Sequence, residues 1–104
     1  MELMNAEVKK KLPPLYSQEH LGLNAVAHVK YFTPFSGWSW FGTEFDPETG
    51  IFFGLVQGME VELGYFSLKE LQACADDLLV ERDLYFIPTT LNEIQNTLKN
   101  GGFC

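Results

Sequence analysis

Apolar and polar positions alternate with a period of two through much of residues 25–66, and recur at helical spacing on either side of that stretch. The first strand opens at Ala25. Ala25, Ala27, Val29 and Tyr31 share one face, and Val26, His28, Lys30 and Phe32 share the other, because successive side chains of a strand point to opposite sides. "TPFSG" breaks the run as a loop. A second strand is predicted over 38–45, with Trp38, Trp40, Gly42 and Glu44 on one face and Ser39, Phe41, Thr43 and Phe45 on the other. "DPETG" then reads as a turn: Pro47 presets φ, the Asp46 side chain bonds the backbone ahead, and Gly50 accepts a left-handed conformation. "IFFGLV" is apolar on both faces and predicts a central strand. After "QGME" comes "VELGYFS", where Val61, Leu63 and Tyr65 alternate with Glu62, Gly64 and Phe66. Consecutive strands joined by short turns make an antiparallel meander.

The flanks are helical. Leu3, Ala6 and Leu12 mark a short N-terminal helix, which "LPPLY" ends, and "SQEHLGLN" reads as a loop. "SLKE" is a capping box, with Ser67 at the N-cap and Glu70 three residues on, ahead of a stripe of Leu68, Leu71 and Ala75 that stops near "ADD". "LYFIP" predicts a fifth strand closed by Pro88. "TLNE", with Thr90 and Glu93, caps a last helix that carries Leu91, Ile94 and Leu98 on one side and is stopped by Gly101 and Gly102. The expected architecture is one α+β domain over 1–104: a short helix and loop over 1–24, a meander over 25–67, and a helix–strand–helix unit over 68–99. Its sheet is a twisted antiparallel meander of four to five strands, with two to three short helices packed on one face.

Composition agrees. The chain has 104 residues, 46% of them hydrophobic, which suits one domain with a core. Nine Phe, four Tyr and two Trp favour strands. No apolar run approaches the roughly 20 residues of a membrane span, and "MELMNAEVKKKL" carries charge where a signal peptide needs an apolar stretch, so a cytoplasmic protein is expected. Cys74 and Cys104 match no metal or redox spacing; one buried thiol in a helix and one loose terminal thiol are expected.

Charge narrows the partners. The net charge is −7, and residues 44–93 alone hold eleven acids against Lys69 and Arg82. Such a field repels nucleic-acid phosphates and attracts basic protein surfaces. Direct nucleic-acid binding is therefore not expected outside the short run Lys9–Lys11.

Candidate chemistry is sparse. Glu44, Asp46 and Glu48 are close enough in sequence to suggest a cation site, but two of them belong to a turn and the EF-hand spacing is missing. His20 and His28 lie at no zinc-ligand spacing. No nucleophile elbow and no phosphate loop is present. No catalytic residue, metal or cofactor is assigned. Trp38 and Trp40 either form a small second core covered by the N-terminal segment or by Tyr16 and Leu15, or form an exposed aromatic patch beside Glu44, of the kind that anchors protein interfaces. Glu60 and Glu62 mark a wet sheet face. Glu81, Arg82 and Asp83 form a charged triplet that reads as a surface ion-pair cluster or as a partner contact.

"LPPLYSQEH", the long block "VKYFTPFSGWSWFGTEFDPETGIFFGLVQGMEVELGYFSLKEL" and "ERDLYFIPTTL" resemble a bacterial family of small domains of unknown function, over about Leu12 to Leu91. The "GWSW…EFDPETG" and "ELGYFSL" blocks carry the resemblance; Ser39 and Phe41 stand where relatives often have threonine and tyrosine. The resemblance implies carriage on plasmids, phages and conjugative elements, a setting rich in accessory and anti-defence proteins, anti-CRISPR inhibitors among them. It implies no mechanism. The leading expectation is a non-enzymatic module that docks on a basic protein surface, a nucleic-acid-handling protein being the natural partner, through Trp38, Trp40, Glu44, Glu60, Glu62, Glu81, Arg82 and Asp83. The alternatives are a carboxylate-based hydrolase or metal-dependent enzyme using Glu44, Glu62 or Glu81 with His28, and a small-ligand binder working through the tryptophan face. Oligomeric state is left open, since a strand edge can pair with itself.

Overall fold

The computed structural model describes residues 2–34 and 36–101, apart from the side chains of residues 76–78. Cys104 and the helix-stopping Gly102 lie outside the described residues. Among the described residues there are three α-helices, α1 (Ala6–Lys11), α2 (Leu68–Leu78) and α3 (Leu91–Lys99), with a 3₁₀ segment at Glu19–Asn24. The strands are β1 (Val26–Ala27), β2 (Val29–Phe32), β3 (Ser39–Asp46), β4 (Ile51–Gln57), β5 (Val61–Ser67), β6 (Glu81–Arg82) and β7 (Thr89–Thr90). The main sheet is antiparallel in the order β5-β4-β3-β2-β6, and β1 and β7 form a separate pair. The fold is thus the expected α+β meander.

The local signals work as chemistry dictates. Asp46 accepts the Glu48 N–H at 3.0 Å and the Thr49 hydroxyl at 2.9 Å, and Gly50 takes φ +72°. The Ser67 hydroxyl accepts the Glu70 N–H and the Thr90 hydroxyl accepts the Glu93 N–H, each at 3.3 Å. These bonds satisfy N–H groups that a helix start leaves without partners.

Five features differ from expectation. First, the helices divide between the two sheet faces. Leu71 of α2 packs with Leu3, Leu12, Val29, Tyr31, Phe45, Phe52 and Phe66 on one face; Leu91 and Ile94 of α3 pack with Ala27, Phe41 and Leu55 on the other. A sheet whose central strand is apolar on both sides needs cover on both.

Second, β3 contains a bulge. Its register with β4 slips between Gly42 and Glu44, so that Phe41 pairs with Leu55 while Glu44 pairs with Phe53. Thr43 is the extra residue, its hydroxyl donating to the Phe53 carbonyl at 3.1 Å. One inserted residue moves every later side chain to the other face. Phe41 and Phe45 therefore face opposite cores, and Glu44 lies on the face opposite Trp40.

Third, "LYFIP" is not a strand. The fifth strand of the main sheet is Glu81–Arg82, just upstream, paired with Tyr31 and Phe32. The Asp83 side chain accepts the Tyr85 N–H at 2.9 Å and turns the chain, so Phe86 packs on Phe41 with ring centroids 6.0 Å apart while Leu84, Tyr85 and Ile87 stay exposed. The predicted first strand is also divided: Ala27 enters the α3 core and Val29 the α2 core, with His28 at the break. Cys74 is exposed rather than buried, because the α2 stripe turns Leu68, Leu71 and Ala75 inward.

Among the described residues, no helix is long and apolar enough to cross a membrane.

Candidate functional site

The expected interface residues separate into three places. Trp38 and Trp40 leave the 33–38 loop together. That loop is closed by the Thr33 N–H donating to the Trp38 carbonyl at 3.0 Å and by the Trp38 N–H donating to the Thr33 hydroxyl at 3.2 Å. The Thr33 and Ser36 hydroxyls bond each other within it. The two indoles lie 6.0 Å apart, but their environments differ. Trp40 is half-buried against the α2 core, whereas Trp38 is 40% exposed. The Trp38 ring lies across Gly58 so closely that a Cβ there would come within 2.4 Å of it. Beside it the β4–β5 turn presents Met59, 95% exposed, and the exposed Glu60, and β5 adds the exposed Glu62. Trp38, Val56, Gly58, Met59, Glu60 and Glu62 together line one shallow groove of about 370 Å³.

Glu81, Arg82 and Asp83 sit on the opposite edge of the sheet, four strands from β5, so Arg82 and the Glu60–Glu62 pair belong to different edges. Their positions are structural: Glu81 and Arg82 pair with β2, the Asp83 carboxylate lies 3.9 Å from Lys30 Nζ, and the Asp83 N–H donates to the Lys30 carbonyl at 2.9 Å.

Glu44 is 3% exposed and lies on the sheet face opposite Trp40, apart from the Trp38 groove. Its carboxylate accepts the Tyr16 N–H at 3.0 Å and the Gln18 N–H at 2.6 Å. The Phe45 N–H, displaced by the bulge, donates to the Pro13 carbonyl at 2.9 Å. The segment from Pro13 to Gln18 is thus stitched to β3 by three backbone groups. Over it a second cavity, about 140 Å³, is lined by Tyr16, Phe53, Leu63 and Tyr65 with Glu19 and Glu44. Sequence reasoning missed this cavity, because the bulge and a contact spanning 28 residues create it.

The carboxylates proposed for catalysis do not meet. Glu44 lies under the N-terminal loop, Glu62 on the edge of β5 and Glu81 on β6. Among the described residues, no group of three or more His, Cys, Asp and Glu could hold a metal ion. His28 lies in another cleft, with Glu7, Lys11, Arg82 and Asp83. Burial, and then the Lys11 ammonium, hold its imidazole below the ordinary value of 6.5. The unfolded chain therefore binds this proton more readily than the folded one. The contribution of His28 is complete above 6.5 and is lost as the pH falls through the lower folded value. Urea denaturation at a series of pH values is expected to show stability falling below pH 6.5 more steeply in the parent chain than in His28→Gln; parallel curves would refute it.

Residues 3–99 match the model of a family described as "Protein of unknown function (DUF2958)". The chain belongs to this family. The DUF2958 match spans α1 to the end of α3, so both helix-covered faces, the bulge and both cavities lie inside it. No curated protein and no solved structure matches the chain.

Proposed function

We propose that this DUF2958 protein is a small, acidic, non-enzymatic binding module of a mobile genetic element, accessory or anti-defence in type, that docks on a basic protein surface in the cytoplasm. The observation that carries the reading is the convergence of Trp38, Met59, Glu60 and Glu62 on one groove. The groove combines a large aromatic anchor with acids at its rim, the pattern that holds and steers protein complexes. The −7 net charge supports a basic partner, and the sequence resemblance supports the mobile-element setting. A nucleic-acid-handling protein of the host or element has the required surface.

The test is affinity capture from a host lysate at low and high salt. Trp38→Ala is expected to weaken recovery of the captured partner about 30-fold, the loss of about 2 kcal/mol typical of a buried aromatic anchor. Glu60→Lys with Glu62→Lys is expected to weaken it at low salt and to have little effect at high salt, since exposed charges are screened. Absence of any partner at low salt refutes the binding reading. Full recovery with Trp38→Ala would instead move the contact away from this groove.

A further inference from the structure

We infer that the cavity over Glu44 is a binding site for an alkylammonium group, independent of the Trp38 groove. Its wall is aromatic. The Tyr65 ring meets Tyr16 at 60° with centroids 6.5 Å apart, and meets Phe53 at 65° with centroids 5.0 Å apart. Rings that meet edge to face make a concave wall rather than a flat stack, and such walls take a cation against the negative ring faces. The charge fits as well. Glu44 and Glu19 line the cavity, and no Lys, Arg or His is among its lining residues. The volume of about 140 Å³ suits a small head group.

Two further observations separate this cavity from ordinary surface relief. Tyr16 has φ +70°, a region where a bulky side chain is an outlier. The residue is 62% exposed, so core burial does not compensate the strained backbone. The strain is held by the Glu44 carboxylate, which takes the Tyr16 N–H. Strain maintained at an exposed aromatic residue points to use of that residue. Tyr65 is 56% exposed and Leu63 46% exposed, although both lie on the strand face that elsewhere packs against α3. The α3 contacts reach Val61 but leave Leu63 and Tyr65 uncovered. Desolvation, hydrogen bonding with Tyr16 and the charges of Tyr16, Glu19 and Glu44 push the Tyr65 phenol up.

An alkylammonium group can come from a free small ion or from a lysine side chain, methylated or not. Amide spectra of ¹⁵N-labelled protein, titrated with tetramethylammonium chloride, with sodium chloride at matched ionic strength, with neutral 2,2-dimethylpropanol and with a short trimethyl-lysine peptide, distinguish these sources. The expected result is saturable shifts of the Tyr16, Gln18, Phe53 and Tyr65 amides with the cations alone. Tighter saturation by the peptide assigns the site to a protein side chain; saturation by tetramethylammonium with the peptide excluded assigns it to a free ion. Tyr65→Ala is expected to weaken binding at least about tenfold, and Tyr65→Phe to change it by no more than about threefold, because the ring face rather than the hydroxyl holds the cation. Tyr65 is exposed, and retention of all other amide positions verifies the fold. The inference is overturned if tetramethylammonium and the peptide do no more than sodium chloride, if the neutral alcohol shifts the same amides equally, or if Tyr65→Ala binds like the parent.

Discussion

Gly54→Ala is expected to cost more than about 3 kcal/mol, beyond the usual range for an overpacked core. A Cβ at Gly54 would lie 1.8 Å from the Phe41 carbonyl oxygen, 2.8 Å from its carbonyl carbon and 3.1 Å from Gly42 Cα. All three are backbone atoms, so no side chain can swing away. β4 is hydrogen-bonded to β3 on one side and β5 on the other, so it has no free direction in which to shift. Against a total stability of about 5–15 kcal/mol, the midpoint of thermal unfolding should fall by more than about 12 °C. Gly64 supplies the control. It pairs with Gly54 across β4 and β5, yet a Cβ there would meet nothing within 4 Å. Gly64→Ala is expected to stay within about 0.5 kcal/mol of the parent. Melts of the two variants side by side decide the matter. Equal midpoints would show that β3 and β4 do not approach as closely as described.

What the sequence made legible, and what it did not, divides by range. The "DPETG" turn and both capping boxes were readable because each bond closes within three or four residues. The double-sided burial of "IFFGLV" was readable because both of its faces are apolar, and Phe52 and Leu55 do enter opposite cores. The bulge at Thr43 was less legible: threonine suits a strand, and the one local mark in "WFGTEF" is Gly42, since a glycine inside a strand often accompanies a bulge. That one position put Glu44 on the wrong face and joined it to the tryptophans on paper. "LYFIP" has strand composition, but the Asp83 side chain turns it into a loop. The charged triplet ahead of it gave no sign that its first two residues would pair with β2. The groove at Trp38 was half legible: Trp38, Glu60 and Glu62 were singled out separately, and the hairpin at Gly58 brings them together. The Tyr16–Tyr65 cavity depends on the bulge and on a positive φ at Tyr16, and the bond that holds Tyr16 to Glu44 spans 28 residues.

Glu44→Leu is expected to cost about 2–4 kcal/mol, and Glu44→Gln somewhat less. The Glu44 carboxylate is buried and accepts two backbone N–H groups, at 3.0 and 2.6 Å. A hydrogen bond to a charged group contributes about 1.5–3 kcal/mol, and a buried donor left without a partner carries a comparable penalty. Leucine removes both acceptors. Glutamine keeps one acceptor oxygen and turns an NH₂ group toward the other N–H, so one donor is still lost. The loss should be local in its first effects. Hydrogen exchange at the Tyr16 and Gln18 amides should speed up in both variants, while amides in β4 slow and accelerate only with global stability. Glu48→Gln is the matched control: its side chain is exposed in the turn, and its removal should leave the Tyr16 and Gln18 amides unchanged. The release of Tyr16 has a second consequence. Its strained backbone is held by the Glu44 carboxylate, so the ring should leave its edge-to-face contact with Tyr65 and the cavity wall should open. Loss of stability without faster exchange at those two amides would mean that Glu44 acts through the sheet rather than through the N-terminal loop.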